Sequence, residues 1–387
     1  MKNKTGPPVE GDDFYGREKE INYVWKRIED GNNIILPSPR RVGKSSFAKK
    51  MLAIAESKGW ETLEINLEKV RTELDFVKLF VKELKKLSWW ETTKDKGKDL
   101  LEIVKSLKPG ISASGVTVTL DWQSKRTDVY RELESLLNHK KDTLFYFDEL
   151  TILLNGIVRQ ENGKQNVESF LHWLRSLRLE SGTQIRWIFC SSIGIDNFTF
   201  SHKLSDTNND IQPYRLKSFD YPTSIGLIRA LEKGAGIEFT DSIRDAIVEK
   251  LRFCLPYFIQ VIFEKMTALI TIDDQPVNEE LVDQAYAAII SESYLNTWIE
   301  RLREQYSGME GDAFLLLKHM CQQKEGVTRN NLLNLLKAKY QDDEKAESAS
   351  STVIYMLEND GYLMEEDGRY HFRSPLIRDF WYKRHVK

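Results

Sequence analysis

Apolar positions recur at helical spacing from Arg17 to Glu29, where Ile21, Val24, Trp25 and Ile28 share one face. The next apolar group, Asn33-Ile34-Ile35-Leu36, is short and continuous and predicts a buried strand ahead of a turn. Ser45 to Glu56 is helical again, Glu61 to Leu67 alternates as a strand, and Leu74 to Leu87 predicts a helix. A helix around Arg126–Leu137, the strand Thr143–Phe147, a helix near Val167–Leu177 and the strand Arg186–Cys190 continue the alternation. Strands separated by helices in this order predict a parallel sheet covered by helices. Residues 91 to 126 break the pattern and read as an insertion. Within it, Lys94-Asp95-Lys96-Gly97-Lys98 is a solvated charge run, and Val116-Thr117-Val118-Thr119-Leu120 predicts a strand of a hairpin.

From about residue 220 the strands stop. Ser224–Glu232, Asp241–Leu251, Tyr257–Ile270 and Asn278–Ser291 all carry helical periodicity. Between residues 298 and 387, three helical segments precede two short strands, Gly361–Met364 and Arg369–Phe372, with Gly368 in the turn. Helices followed by a β-hairpin describe a winged helix-turn-helix. Residues 1–13, polar and containing Gly6-Pro7-Pro8, read as a flexible lead.

The chemistry concentrates at two strand ends. Ser38-Pro39-Arg40-Arg41-Val42-Gly43-Lys44-Ser45 lies between an apolar strand and a helix, and approximates the phosphate-binding pattern Gly-x4-Gly-Lys-Ser/Thr. Ser38 stands where that pattern has its first glycine. Successive backbone N–H groups at a helix N-terminus would still face phosphates. Lys44 would reach the terminal phosphates and Ser45 would offer its hydroxyl to Mg²⁺. The second site is Asp148-Glu149, closing the apolar strand Leu144-Phe145-Tyr146-Phe147. Asp148 would hold Mg²⁺, directly or through water, and Glu149 would orient or deprotonate the attacking water. After a third strand, Ser191-Ser192 offers small hydroxyls to a γ-phosphate or to the water, and Ser192 is taken as the catalytic one.

Phe14-Tyr15-Gly16-Arg17-Glu18-Lys19-Glu20 resembles the Phe-x-Gly-Arg-Glu-x-Glu box of STAND and archaeal-type AAA ATPases, relatives of the origin-recognition ATPases. Arg40-Arg41-Val42-Gly43-Lys44-Ser45 looks like their arginine-rich phosphate loop. Ser191-Ser192-Ile193-Gly194 is similar to the Gly-Ser-Ser after their fourth strand, with Cys190 in place of the glycine. Cys254-Leu255-Pro256-Tyr257-Phe258 is similar to their Gly-x-Pro lid motif, and Ser374–Trp381 resembles the closing helix of their winged domain. The resemblance implies an α/β fold: a parallel-sheet, AAA-like P-loop core over residues 1–219, a helical lid over 220–297 and a winged-helix domain over 298–387. It also implies an adenine pocket between the box and Pro256. The expected cofactor contacts are Tyr15, Gly16, Arg17, Ser38, Arg40, Arg41, Val42, Gly43, Lys44, Ser45, Ser46 and Pro256. ATP is expected rather than GTP, because no Asn-Lys-x-Asp guanine-reading motif occurs. Arg215, Arg175 and Arg178 compete as an arginine finger. Trp89-Trp90 is either a partner surface or core.

Composition narrows the partners. The chain is 30% charged and 41% hydrophobic, as soluble globular proteins are. A net charge of −3 supplies no global field for nucleic acid. Acids at Asp342-Asp343-Glu344, Glu347 and Glu365-Glu366-Asp367 make the winged segment a poor DNA footprint, so DNA contact competes with protein contact or self-association. Cys190, Cys254 and Cys321 match no metal spacing and read as buried thiols of a reducing compartment. No apolar run approaches the roughly 18 residues of a membrane helix. The expectation is a cytoplasmic ATP-driven switch that turns over slowly. The alternatives are a nucleotide-gated binding module and a DNA-binding regulator without significant turnover.

Overall fold

A computed structural model describes residues 1–38, 40–93, 100, 102, 104, 119–138, 141–179, 184–191, 195–306 and 308–387. These divide into two compact units. One holds residues 18–37 and 47–215; the other holds 1–17, 38–46 and 216–387.

The first unit is built on a five-stranded sheet of β1 (Asn33–Leu36), β2 (Glu61–Asn66), β3 (Thr143–Asp148), β4 (Ile185–Cys190) and β5 (Ile211–Pro213), in the order β2-β3-β4-β1-β5. Every pairing is parallel. Leu36 lies opposite Cys190 and Asn66 opposite Asp148, so the carboxyl ends of β1, β3 and β4 fall along one side of the sheet. The strands read as unbroken apolar runs because helices cover them. Phe145, Phe147, Trp187 and Phe189 are buried, with the Phe147 and Trp187 rings stacked 5.2 Å apart. The helix Glu73–Leu84, capped by the Thr72 side chain on the Asp75 N–H, brings Phe76 and Phe80 onto that face.

In this unit one sequence expectation changes, one helix is added and one open alternative is decided. The strand predicted over Val116–Leu120 has its first three residues outside those described, and Thr119 and Leu120 open a helix running to Leu137. That helix buries Val129, Leu133, Leu136 and Leu137, a helical spacing that dominates the local β-branched run. A further helix, Leu150–Val158, follows β3 directly and buries Leu150, Leu153, Leu154 and Ile157. Trp89 and Trp90 are each 5% exposed and belong to the core, which removes them as a partner surface.

A buried polar cluster joins two helices here. Glu73 accepts from the Arg126 guanidinium at 2.8 Å, from the Tyr130 hydroxyl at 2.8 Å and from the Trp122 indole at 3.3 Å. Burial pushes the Glu73 carboxyl above the usual range, against the pull of Arg126.

The second unit carries the helices Tyr221–Ala235, Asp241–Leu251, Pro256–Thr271 and Glu280–Ser291, close to where periodicity places them. Asp220 and Thr240 cap the first two through side-chain oxygens. Beyond Leu295, four helices (Asn296–Gln305, Glu310–Met320, Arg329–Tyr340 and Asp343–Asn359) precede a hairpin, and Pro375–His385 follows it. The hairpin strands, β7 (Leu363–Glu366) and β8 (Arg369–Phe372), form an antiparallel sheet with β6 (Val327–Thr328). Asp367 and Gly368 both have positive φ, 51° and 74°, as a two-residue hairpin turn of matching twist requires. The first thirteen residues, none of them buried, are tied down by hydrogen bonds. The Lys2 N–H donates to Asp13 at 2.7 Å, the Asn3 amide donates to the Gln260 carbonyl at 2.9 Å, and the Val9 N–H donates to the Ser46 hydroxyl at 2.9 Å.

Candidate functional site

The predicted residues fall into two groups, one in each unit. The first surrounds the segment Ser38–Ser46, which the chain enters from the end of β1 and leaves as the helix Lys44–Ser57. Gly43 has φ 95°, a conformation open to glycine and closed to most side chains. Lys44 is 8% exposed, and its ammonium donates to the Ser38 carbonyl at 2.7 Å. Ser45 and Ser46 follow in the first helical turn, where the N–H groups and the helix dipole favour an anion.

Ser38 has a structural role that a glycine could not fill: its hydroxyl accepts the Leu216 N–H at 2.7 Å. The box residues brace the loop. Arg17 is 5% exposed, and its guanidinium donates to the carbonyls of Val42 (3.1 Å) and Lys217 (2.8 Å) and lies 4.7 Å from the Phe219 ring centre. Tyr15 presses its hydroxyl against Gly226, where an added Cβ would come within 2.1 Å of it. Arg41, at φ 65°, stacks its guanidinium 4.0 Å from the ring centre of Tyr257. Tyr257 follows Pro256, the first residue of its helix, and burial pushes its phenol upward while the charges of Arg41 and Arg40 pull the other way.

The second group lies at the carboxyl ends of β3 and β4. Asp148 is the last residue of β3, and its carboxylate accepts the Glu149 N–H at 3.0 Å. Glu149 sits in the left-handed region, φ 60° and ψ 37°, immediately before the Leu150–Val158 helix. A non-glycine there is strained, and such strain gathers where the fold over-determines a functional side chain. The Ser191 hydroxyl lies 3.5 Å from Glu149 Oε2 and shares a hydrogen bond with the Thr151 hydroxyl. Ser192 lies outside the described residues. Thr151 is absent from the sequence expectations, since nothing local marks it; only the sheet register brings it to Ser191.

Arg178 does not fit the role of a finger. Its side chain is 2% exposed and holds both Asp210 oxygens, at 2.7 and 2.9 Å, so it cannot project from the surface. Arg175 lies 3.7 Å from the same carboxylate, and Arg215 is exposed. Among the described residues, no three His, Cys, Asp or Glu side chains cluster as a metal cage. The Ser45 hydroxyl in one unit and the Asp148 carboxylate in the other are each hard oxygen donors, the chemistry Mg²⁺ takes.

No family model matches the sequence, and no curated protein matches it. Solved structures do. The Walker-type ATPase PABY2304 of Pyrococcus abyssi is 15% identical, with a TM-score of 0.65 over 98% of this chain and 99% of that one. The ORC2 protein of Aeropyrum pernix is 11% identical, with a TM-score of 0.54 over 97% of this chain and 95% of that one. The parallel five-stranded sheet with its surrounding helices is the fold of P-loop ATPases of the AAA type, and the helical C-terminal part is consistent with it.

Proposed function

We propose that this chain binds ATP with Mg²⁺ and hydrolyses it slowly, as a conformational switch of the AAA type. The observation that carries the reading is positional: β1, from whose end the chain runs on to Gly43-Lys44-Ser45, and β3, which closes in Asp148-Glu149, have their carboxyl ends along one side of one parallel sheet. In open parallel sheets, ligands bind outside the carboxyl ends of the strands. The two structural relatives, a Walker-type ATPase and an ORC2 protein seen in ADPNP-ADP complexes, support the same chemistry.

Each residue then has a task. Lys44 exchanges the Ser38 carbonyl for the terminal phosphates and neutralises their charge. Ser45 and Asp148 would hold the cation, which would supply positive charge against the phosphate oxygens. The Glu149 carboxylate orients water and accepts its proton as the bond to phosphorus forms. Arg17 keeps the Val42 carbonyl turned back into the protein, leaving loop N–H groups for the ligand. Tyr15, Gly16 and Pro256 border the adenine site, and residues 220–297 and 298–387 act as lid and winged reader. γ-Phosphate contacts exist only before hydrolysis, so they can drive such a switch. No helix among the described residues is long and apolar enough to cross a membrane. The protein is proposed to work in the cytoplasm with a protein partner or a second copy of itself.

The test is Mg²⁺-dependent phosphate release from ATP, with Lys44→Ala and Glu149→Gln alongside, in the presence and absence of duplex DNA. Glu149→Gln should retain ATP and lose turnover by about 10²-fold or more. Equal release by all three proteins would sink the hydrolase reading. ATP retained without turnover in the wild type would leave a nucleotide-gated binding module, and stimulation by DNA would make the winged segment a nucleic-acid reader.

A further inference from the structure

Thr151 is fully buried in the first turn of the Leu150–Val158 helix, and its hydroxyl meets the Ser191 hydroxyl at the end of β4. Ser191 is 5% exposed and reaches toward Glu149 Oε2 at 3.5 Å. The direction of this chain follows from counting protons. Each hydroxyl has one proton to give, and an ionised carboxylate can only accept. With Glu149 ionised, the proton of Ser191 goes to Glu149, so the bond between the hydroxyls is donated by Thr151. A buried threonine hydroxyl is costly unless it is bonded, and here the bond reaches the strained carboxylate that precedes the helix.

We propose that Thr151 is a positioning residue for ATP hydrolysis, donating to Ser191 and so holding the Ser191 hydroxyl on the Glu149 carboxylate. The inference rests on the reading of Glu149 as the water-activating group. Donation by Thr151 fixes the rotor of Ser191 and polarises its O–H, which strengthens the bond to Glu149. Glu149 is thereby aimed. Bonds of this kind are long in a nucleotide-free site and tighten around the reacting complex.

The experiment compares Thr151→Val, which keeps the shape and removes the hydroxyl, with Thr151→Ser, which keeps the hydroxyl. In Thr151→Val, kcat should fall about three- to tenfold, the worth of one hydrogen bond, with KM for ATP unchanged. Thr151→Ser should restore kcat. A loss carried by KM rather than kcat in Thr151→Val, or equal impairment in both variants, would overturn the positioning role and leave Thr151 a packing residue. Wild-type turnover in Glu149→Gln would instead remove the premise about Glu149, a separate failure.

Discussion

Glu149 shows what a single residue contributes when backbone and side chain pull apart. At φ 60° its Cβ crowds the chain, a cost of roughly 1–2 kcal/mol that glycine does not bear. Glu149→Gly should therefore be more stable than Glu149→Ala by about 1 kcal/mol in urea unfolding, while both lose turnover. Equal stabilities would mean that the backbone is relaxed in solution. The Asp148-Glu149 pair was legible in the sequence because an apolar strand ending in two carboxylates is a local pattern. The strain was not, since φ depends on where the next helix must start. Ser38 was only half legible for a similar reason: in the sequence it stands in a glycine's place, and the structure adds that its hydroxyl is the acceptor for Leu216.

Contacts between elements were the least legible. Tyr15 and Gly226 lie 211 residues apart in numbering, yet a methyl group on Gly226 would overlap the Tyr15 hydroxyl. Gly226→Ala should destabilise the protein by about 1–3 kcal/mol, as overpacking does. In a Tyr15→Phe background, where the nearest ring carbon is 3.2 Å from that methyl, most of this cost should vanish. Additive effects in the double-mutant cycle would show that the two groups do not touch. The Glu73 cluster offers a second test. Its carboxyl is raised in the folded state, so its contribution is full below the unfolded value and is lost as pH rises through the folded one. Wild-type unfolding midpoints should fall from about pH 4.5 upward relative to Glu73→Gln; parallel curves would contradict the shift. Most strands and the helices between residues 220 and 297 were legible because their burial imposes strict periods. The Leu150–Val158 helix was not, being so apolar that no face stands out, and β5 is too short for a period.

For the molecule as a whole, ligand binding and charge set the expectations. ATP at a hundred times its dissociation constant should stabilise the wild type by about 2.7 kcal/mol, and Lys44→Ala by far less. A thermal shift equal in both would place ATP elsewhere. With a net charge of −3 and exposed Glu344 and Glu347 on the Asp343–Asn359 helix, retention on duplex DNA should be weak, with a shallow salt dependence. A steep slope would reveal a basic face that the sequence conceals.

The three free cysteines give the protein an internal set of clocks. Cys190 closes β4, Cys254 lies just ahead of the Pro256–Thr271 helix, and Cys321 follows the Glu310–Met320 helix, and all three are buried. Burial also raises the thiols of Cys254 and Cys321, the latter to about 11, so neither is reactive in place. A thiol reagent must therefore wait for each neighbourhood to open, and its rate at each cysteine times that opening. Labelling kinetics with and without nucleotide would then report, from the unaltered chain, which of three regions the ligand holds shut.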